Sequence, residues 1–249
     1  MVLAILACVA YLAMAVWAKS GPNSYSYSKK QASQMRAVQP ETAKPDKKTF
    51  PDLPSALPDA VYWPVPFTPQ APTANWDELH NEACEEASAI MAHAYFSSST
   101  ETTLSPKSVE EELSKLTAWE DKLLGYHLDT TSAETARMME QAYGLKTKLL
   151  ENFTEKDVKE ALAAGKLVAI SENGRLLGNP NYKTPGPIHH MLLLKGYDKN
   201  GDFITNDSGT KKGLNYPYAF DVIFAATADW DHAQGSVDTS KKLAIVIWK

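Results

Sequence analysis

Between Cys84 and Trp248 the spacing of apolar residues changes character once, near residue 166, and that switch limits the folds open to the chain. Before it, Cys84, Ala87, Met91 and Ala94, with Ile90 beside them, recur at three- and four-residue steps, predicting a helix from Cys84 to about Phe96. Ser108 with Glu111 and Thr131 with Glu134 read as capping boxes opening two further helices, Gly144 closes the second, and Thr154 with Asp157 opens a short one ending at Gly165. Beyond it, residues 166–171, 189–197, 203–206 and 243–248 are short apolar or β-branched runs bounded by turn residues such as Asp198-Lys199-Asn200-Gly201. Helices first and a mostly antiparallel sheet second make the expected class α+β.

The chain ahead of this region is of another kind. Residues 1–18 carry no charged side chain and run straight into Lys19. That run exceeds a signal-peptide core of about 7–15 residues and just reaches the roughly 18–20 needed to span a bilayer. A cleaved signal and a membrane anchor therefore both fit, and either predicts an extracytoplasmic protein, secreted or tethered through its N-terminal segment. Residues 19–58, dense in Ser, Lys, Pro and Gln, read as a flexible linker, leaving one domain over 59–249. With 25 Lys and Arg against 30 Asp and Glu, a net charge of −5 and no basic stripe, the chain is not a nucleic-acid binder.

Cys84 is the one cysteine beyond Cys8. Free cysteines are commonly buried as small hydrophobes, but the backbone dipole at a helix start also favours a thiolate, so position alone leaves packing and nucleophilic readings open. Residues 185–209, PGPIHHMLLLKGYDKNGDFITNDSG, bear on the choice: a histidine opens a strand, a turn follows Gly196-Tyr197-Asp198, and the next strand ends in Asn206-Asp207. The order Cys, His, Asp resembles the papain superfamily and, within it, the C39-like peptidases. That resemblance implies a papain-like fold with the nucleophile at a helix start. It selects His190 over His189, because the family histidine stands six residues ahead of the glycine, and it implies Asp207 as the orienting acid and Gln70 as an oxyanion donor beside the Cys84 N–H. Strand parity agrees. With a turn at Asn200-Gly201, His190 shares a face with Asp207 and His189 with Asn206. The same turn sets Asp207 opposite Leu194, so contact with His190 requires the turn to move toward Asp198-Lys199 or bulges in the second strand.

The resemblance implies a stand-alone, cofactor-free cysteine peptidase, expected to be a monomer, cleaving peptide or cell-wall peptide bonds through a thioester. There is no Walker-type loop of the kind that accompanies exporter members of the group. One departure stands out: Cys84-Glu85-Glu86 replaces the Cys-Gly-Pro of many relatives, and carboxylates beside a thiol oppose its ionisation. A non-catalytic peptide- or wall-binding module on the same fold and an amidase or transglutaminase-type transferase are the alternatives. A metal site built on His80 and Cys84 with Glu82 and Glu85 lacks any HExxH or CxxC companion and is set aside. Residues 176–187, rich in Gly, Pro and Asn, are expected to form a loop beside His190.

Overall fold

The computed structural model describes residues 57–249; the expected export segment and nearly all of the linker lie outside them. Among the described residues no helix is long and apolar enough to cross a membrane. The chain runs through β1 (Val61–Tyr62), α1 (Glu78–Asn81), α2 (Cys84–Phe96), α3 (Pro106–Leu123), α4 (Ser132–Tyr143), β2 (Lys146–Glu151), α5 (Glu155–Ala163), β3 (Leu167–Glu172), β4 (His190–Tyr197), β5 (Phe203–Asp207), β6 (Leu214–Tyr218), α6 (Phe220–Ala226), β7 (Asp229–Asp231), β8 (Ser236–Asp238) and β9 (Leu243–Trp248). Its class is α+β. Helices packed on an antiparallel sheet ordered β2-β9-β3-β4-β5-β6, with β1 added to the end of β4, carry Cys84 at the first residue of α2.

All eight residues of β4 are buried because both faces of the sheet are covered. Met191 and Leu193, with Leu167, Ala169, Ile245 and Ile247, pack under Met91, Leu113 and Met138 from α2, α3 and α4. Leu192 and Leu194, with Val168, Ile170 and Val246, pack against Val158, Leu162 and Ile223 from α5 and α6. A strand buried on two sides gains nothing from alternating polarity, which is why β4 reads as a continuous apolar run.

The capping boxes at Thr131/Glu134 and Thr154/Asp157 form, and Gly144 ends α4 in the left-handed conformation at φ 64°. The expected box at Ser108 does not, since α3 starts two residues earlier at Pro106, whose ring fixes φ for a first helical position and whose missing N–H needs no partner. The β4–β5 register also departs from expectation. Gly196 pairs with Ile204 and Leu194 with Thr205, so the extra residue, Lys195, lies in the first strand of the hairpin and not the second. Asp207 is thereby set opposite Leu192, one same-face step from His190.

The bulge also seats β1. The Lys195 carbonyl accepts from Trp63 N at 2.9 Å, and Lys195 Nζ donates to the Val65 carbonyl at 3.1 Å. Burial pushes this lysine down to about 8. A Cβ on Gly196 would come within 2.2 Å of the Val61 carbonyl oxygen, so β1 lies directly on that glycine. Gly196→Ala is therefore expected to displace β1 and cost about 1–3 kcal/mol, read from chemical denaturation.

Two acids cross the helical layer. Glu86 of α2 and Glu120 of α3 are buried against each other, and Glu86 Oε2 and both Glu120 carboxyl oxygens have no hydrogen-bond partner among the described residues. Burial, reinforced by the Glu120 charge, holds Glu86 well above its ordinary value; burial pushes Glu120 up to about 8. Groups raised in this way bind protons on folding, so their stabilisation is full below the unfolded value of 4.5 and is lost as pH rises to about 8. The melting temperature should be higher at pH 5 than at pH 8.5 by more than about 5 °C, and Glu86→Gln with Glu120→Gln should shrink that gap.

Candidate active site

The segment before α2 is tied down from outside. Gln70 Nε2 donates to the carbonyls of His80 and Asn81 at 2.9 and 3.0 Å, its backbone N donates to the Ser208 carbonyl at 2.9 Å, and Ser208 Oγ donates to its Oε1 at 3.4 Å. Gln70 thus fastens the turn three residues ahead of Cys84 to the residue after Asp207. Both of its amide hydrogens are committed to those carbonyls.

Cys84 is buried at 2% exposure, and its thiol donates to Glu85 Oε2 at 2.8 Å. Glu85 Oε1 accepts from Thr130 N at 2.8 Å and stands 3.4 Å from His189 Nδ1. The Cys84 sulfur, a Glu85 oxygen and a His189 ring nitrogen all lie within 4.8 Å of one another. The start of α2 therefore meets the start of β4. His189 is pinned at both nitrogens, Nδ1 to Asp129 Oδ1 at 2.8 Å and Nε2 to Ser171 Oγ at 2.7 Å.

This pocket is rich in acids. Burial pushes the Cys84 thiol up, and the Glu85 carboxylate pushes it further. Burial and the neighbouring Asp129 charge push Glu82 up to about 9. Burial alone would depress His189, but Glu85 and Asp129 outweigh it and push the imidazole up to about 9. The thiol is thus disfavoured as thiolate and donates to Glu85, whose own carboxyl is raised by burial, beside an imidazole held above its ordinary value.

His190 lies in different company. Its Nε2 pairs with Asp207 Oδ1 at 2.9 Å, and the ring of Tyr182 meets it edge-on with centroids 5.4 Å apart. Asp207 Oδ2 accepts from the hydroxyls of Tyr182 and Tyr218, each at 2.7 Å, and from Asn179 Nδ2 at 2.9 Å. Burial would raise Asp207, yet His190 and the phenols hold it below its ordinary value. Gly213 is obligatory here, since a Cβ on it would fall 1.8 Å from the Asp207 carbonyl oxygen.

Of the residues expected from sequence, His190 and Asp207 are brought together, but on the face of β4 that packs on α5 and α6; the histidine beside the thiol is His189, because successive strand residues point to opposite faces and α2 covers the other one. Sequence reasoning placed residues 176–187 near His190 and they do supply Asn179 and Tyr182, but the roles of Asp129, Ser171, Glu82 and Tyr218 were missed. Asp129 carried no usable signal, being an acid in a loop 60 residues from the histidine it holds. His80 pairs with Asp77 at 2.6 Å and Glu110 at 2.8 Å, in keeping with setting aside a metal site built on it and Cys84.

The sequence pattern of the Peptidase_C39 like family matches residues 62–237, which includes Cys84, both histidines and Asp207. The chain belongs to the C39-like peptidase family. Among solved structures it is similar to one described as a C39-like peptidase from Bacillus anthracis, at 18% identity and a TM-score of 0.48, covering 76% of this chain and 98% of that one. No curated protein matches it.

This C39-like site should show a sluggish thiol. Alkylation of Cys84 by iodoacetamide, followed by mass spectrometry, is expected to have its midpoint above the roughly 8.5 of a free cysteine, and Glu85→Gln to move that midpoint down. A midpoint well below 8.5 in the unaltered protein would contradict the acid-rich pocket.

Proposed function

We propose that the chain is a cysteine peptidase acting outside the cytoplasm on peptide or cell-wall peptide bonds, with Cys84 as nucleophile and His189 as the histidine that serves it. The observation that carries this reading is the grouping of the Cys84 sulfur, a Glu85 oxygen and a His189 ring nitrogen within 4.8 Å of one another on the face of β4 that packs against α2. Asp129 Oδ1 orients that imidazole through Nδ1 at 2.8 Å. A thiol that rests protonated needs an acceptor at the moment of attack, and Glu85 Oε2 already accepts from it at 2.8 Å. The Cys84 proton passes to the Glu85–His189 pair as sulfur adds to the peptide carbonyl, the Cys84 N–H and Gln70 stabilise the oxyanion, a proton passes from the pair to the leaving amine, and water hydrolyses the thioester. For Gln70 this role means releasing one of its two carbonyl bonds on substrate binding. The apolar run of residues 1–18 supports export or tethering, and no cofactor is required.

A second reading, implied by the family resemblance, gives the proton to His190, favoured by its 2.9 Å bond to Asp207. Against it stands the face that His190 shares with Leu192 and Leu194, which packs on α5 and α6 and not on α2, where Cys84 sits. Turnover of a peptide library separates the two. Cys84→Ala and His189→Ala should each cost about 10²–10⁴-fold in kcat/KM with folding intact, and His190→Ala less than about tenfold. Equal losses from the two histidine changes would sink the assignment, and no turnover by the unaltered protein would favour the binding-module alternative.

A further inference from the structure

The groups around the thiol form a donor set that also points to a ligand other than a peptide. We propose that Cys84, Glu85 and His189, with Asp129 as a fourth donor, form a binding site for a divalent transition-metal cation, Zn²⁺ being the best match, and that its occupancy silences the thiol. Sulfur, imidazole nitrogen and carboxylate oxygen are the three donor types zinc selects. In a tetrahedral zinc site the usual bond lengths of roughly 2.0–2.3 Å set ligand atoms about 3.4–3.5 Å apart. The His189 Nδ1–Glu85 Oε1 separation of 3.4 Å already meets this; the sulfur stands 2.8 Å from the other oxygen, Oε2, so Glu85 has to turn to present a single oxygen to both.

Three further observations fit. Asp129 Oδ1 reaches the same Nδ1 at 2.8 Å, close enough to turn from proton acceptor to ligand. The opposite nitrogen, Nε2, is held by Ser171 Oγ at 2.7 Å, the outer contact that orients metal-bound imidazoles. Cys84, Glu85, Asp129 and Glu82 offer four acidic groups, while the one base recorded against them is His189. A divalent cation balances that excess better than a proton does. Binding replaces the thiol proton, which leaves to solvent, with a sulfur–metal bond, so no oxidant or reductant is involved.

The site itself is independent of the peptidase reading; only the silencing rests on it. The test is titration of the full chain with Zn²⁺ against a chromophoric chelator, together with the absorption spectrum after loading with Co²⁺. One ion per chain is expected, with a thiolate-to-cobalt charge-transfer band in the near ultraviolet. Cys84→Ser should abolish the band, and Glu85→Gln, nearly isosteric, should weaken affinity at least about tenfold, or about 1.4 kcal/mol. A band that survives Cys84→Ser, unchanged affinity in Glu85→Gln, or no stoichiometric binding by the unaltered protein would each overturn the proposal. Metal binding without peptide turnover would leave the site standing and defeat the peptidase reading; turnover with no metal affinity would do the reverse.

Discussion

β4 holds the molecule together. It is hydrogen-bonded to β3 and β5 along its length and to β1 at its end, and its side chains enter two separate hydrophobic cores. A strand fixed on both edges and both faces has little freedom to slide, because slipping by one residue would exchange every side chain between the cores. The two histidines at its start inherit that rigidity. One is committed to Asp129 and Ser171, the other to Asp207, and neither can adopt the other's role without moving the centre of the protein.

Electrostatics on the two sides of this strand are opposed in purpose. Around Asp207, two phenols, an amide and a backbone N–H converge on one carboxylate, keeping it charged in a buried place. Around Cys84 the described residues supply no comparable set of donors, and carboxyl groups crowd one another and the thiol. The first environment suits a fixed anion that steers a neighbouring imidazole. The second suits the uptake of positive charge, whether as protons or as a metal ion.

Much of the architecture could be read before any coordinates. The change of period near residue 166 gave the class, and Thr131/Glu134 and Thr154/Asp157 located two helix starts, because capping is a local interaction written in adjacent residues. β2 was not legible: Lys146-Thr147-Lys148-Leu149-Leu150-Glu151 mixes polar and apolar positions, and it becomes a strand because β9 offers it an edge. The His190–Asp207 pair was implied by the family resemblance and agreed with parity, yet its register depended on a bulge at Lys195, where β1 docks. Asp129 and Ser171 were invisible for the reason that hides most partners of a buried histidine: they arrive from distant segments, and no periodicity encodes their approach.

The stitch made by Gln70 has a consequence for how the protein comes into being. It joins positions 138 residues apart, and β1 joins β4 across a comparable stretch, so distant parts of the domain must meet before the thiol and the His190–Asp207 pair share one frame. Contacts that close such long loops come late in assembly and cannot form on a growing chain until β4, β5 and Ser208 have been made. A nascent or truncated copy ending ahead of residue 203 lacks β5 altogether and has no Asp207 to orient His190. The His190–Asp207 pair is thereby absent from every intermediate of synthesis that ends ahead of residue 207.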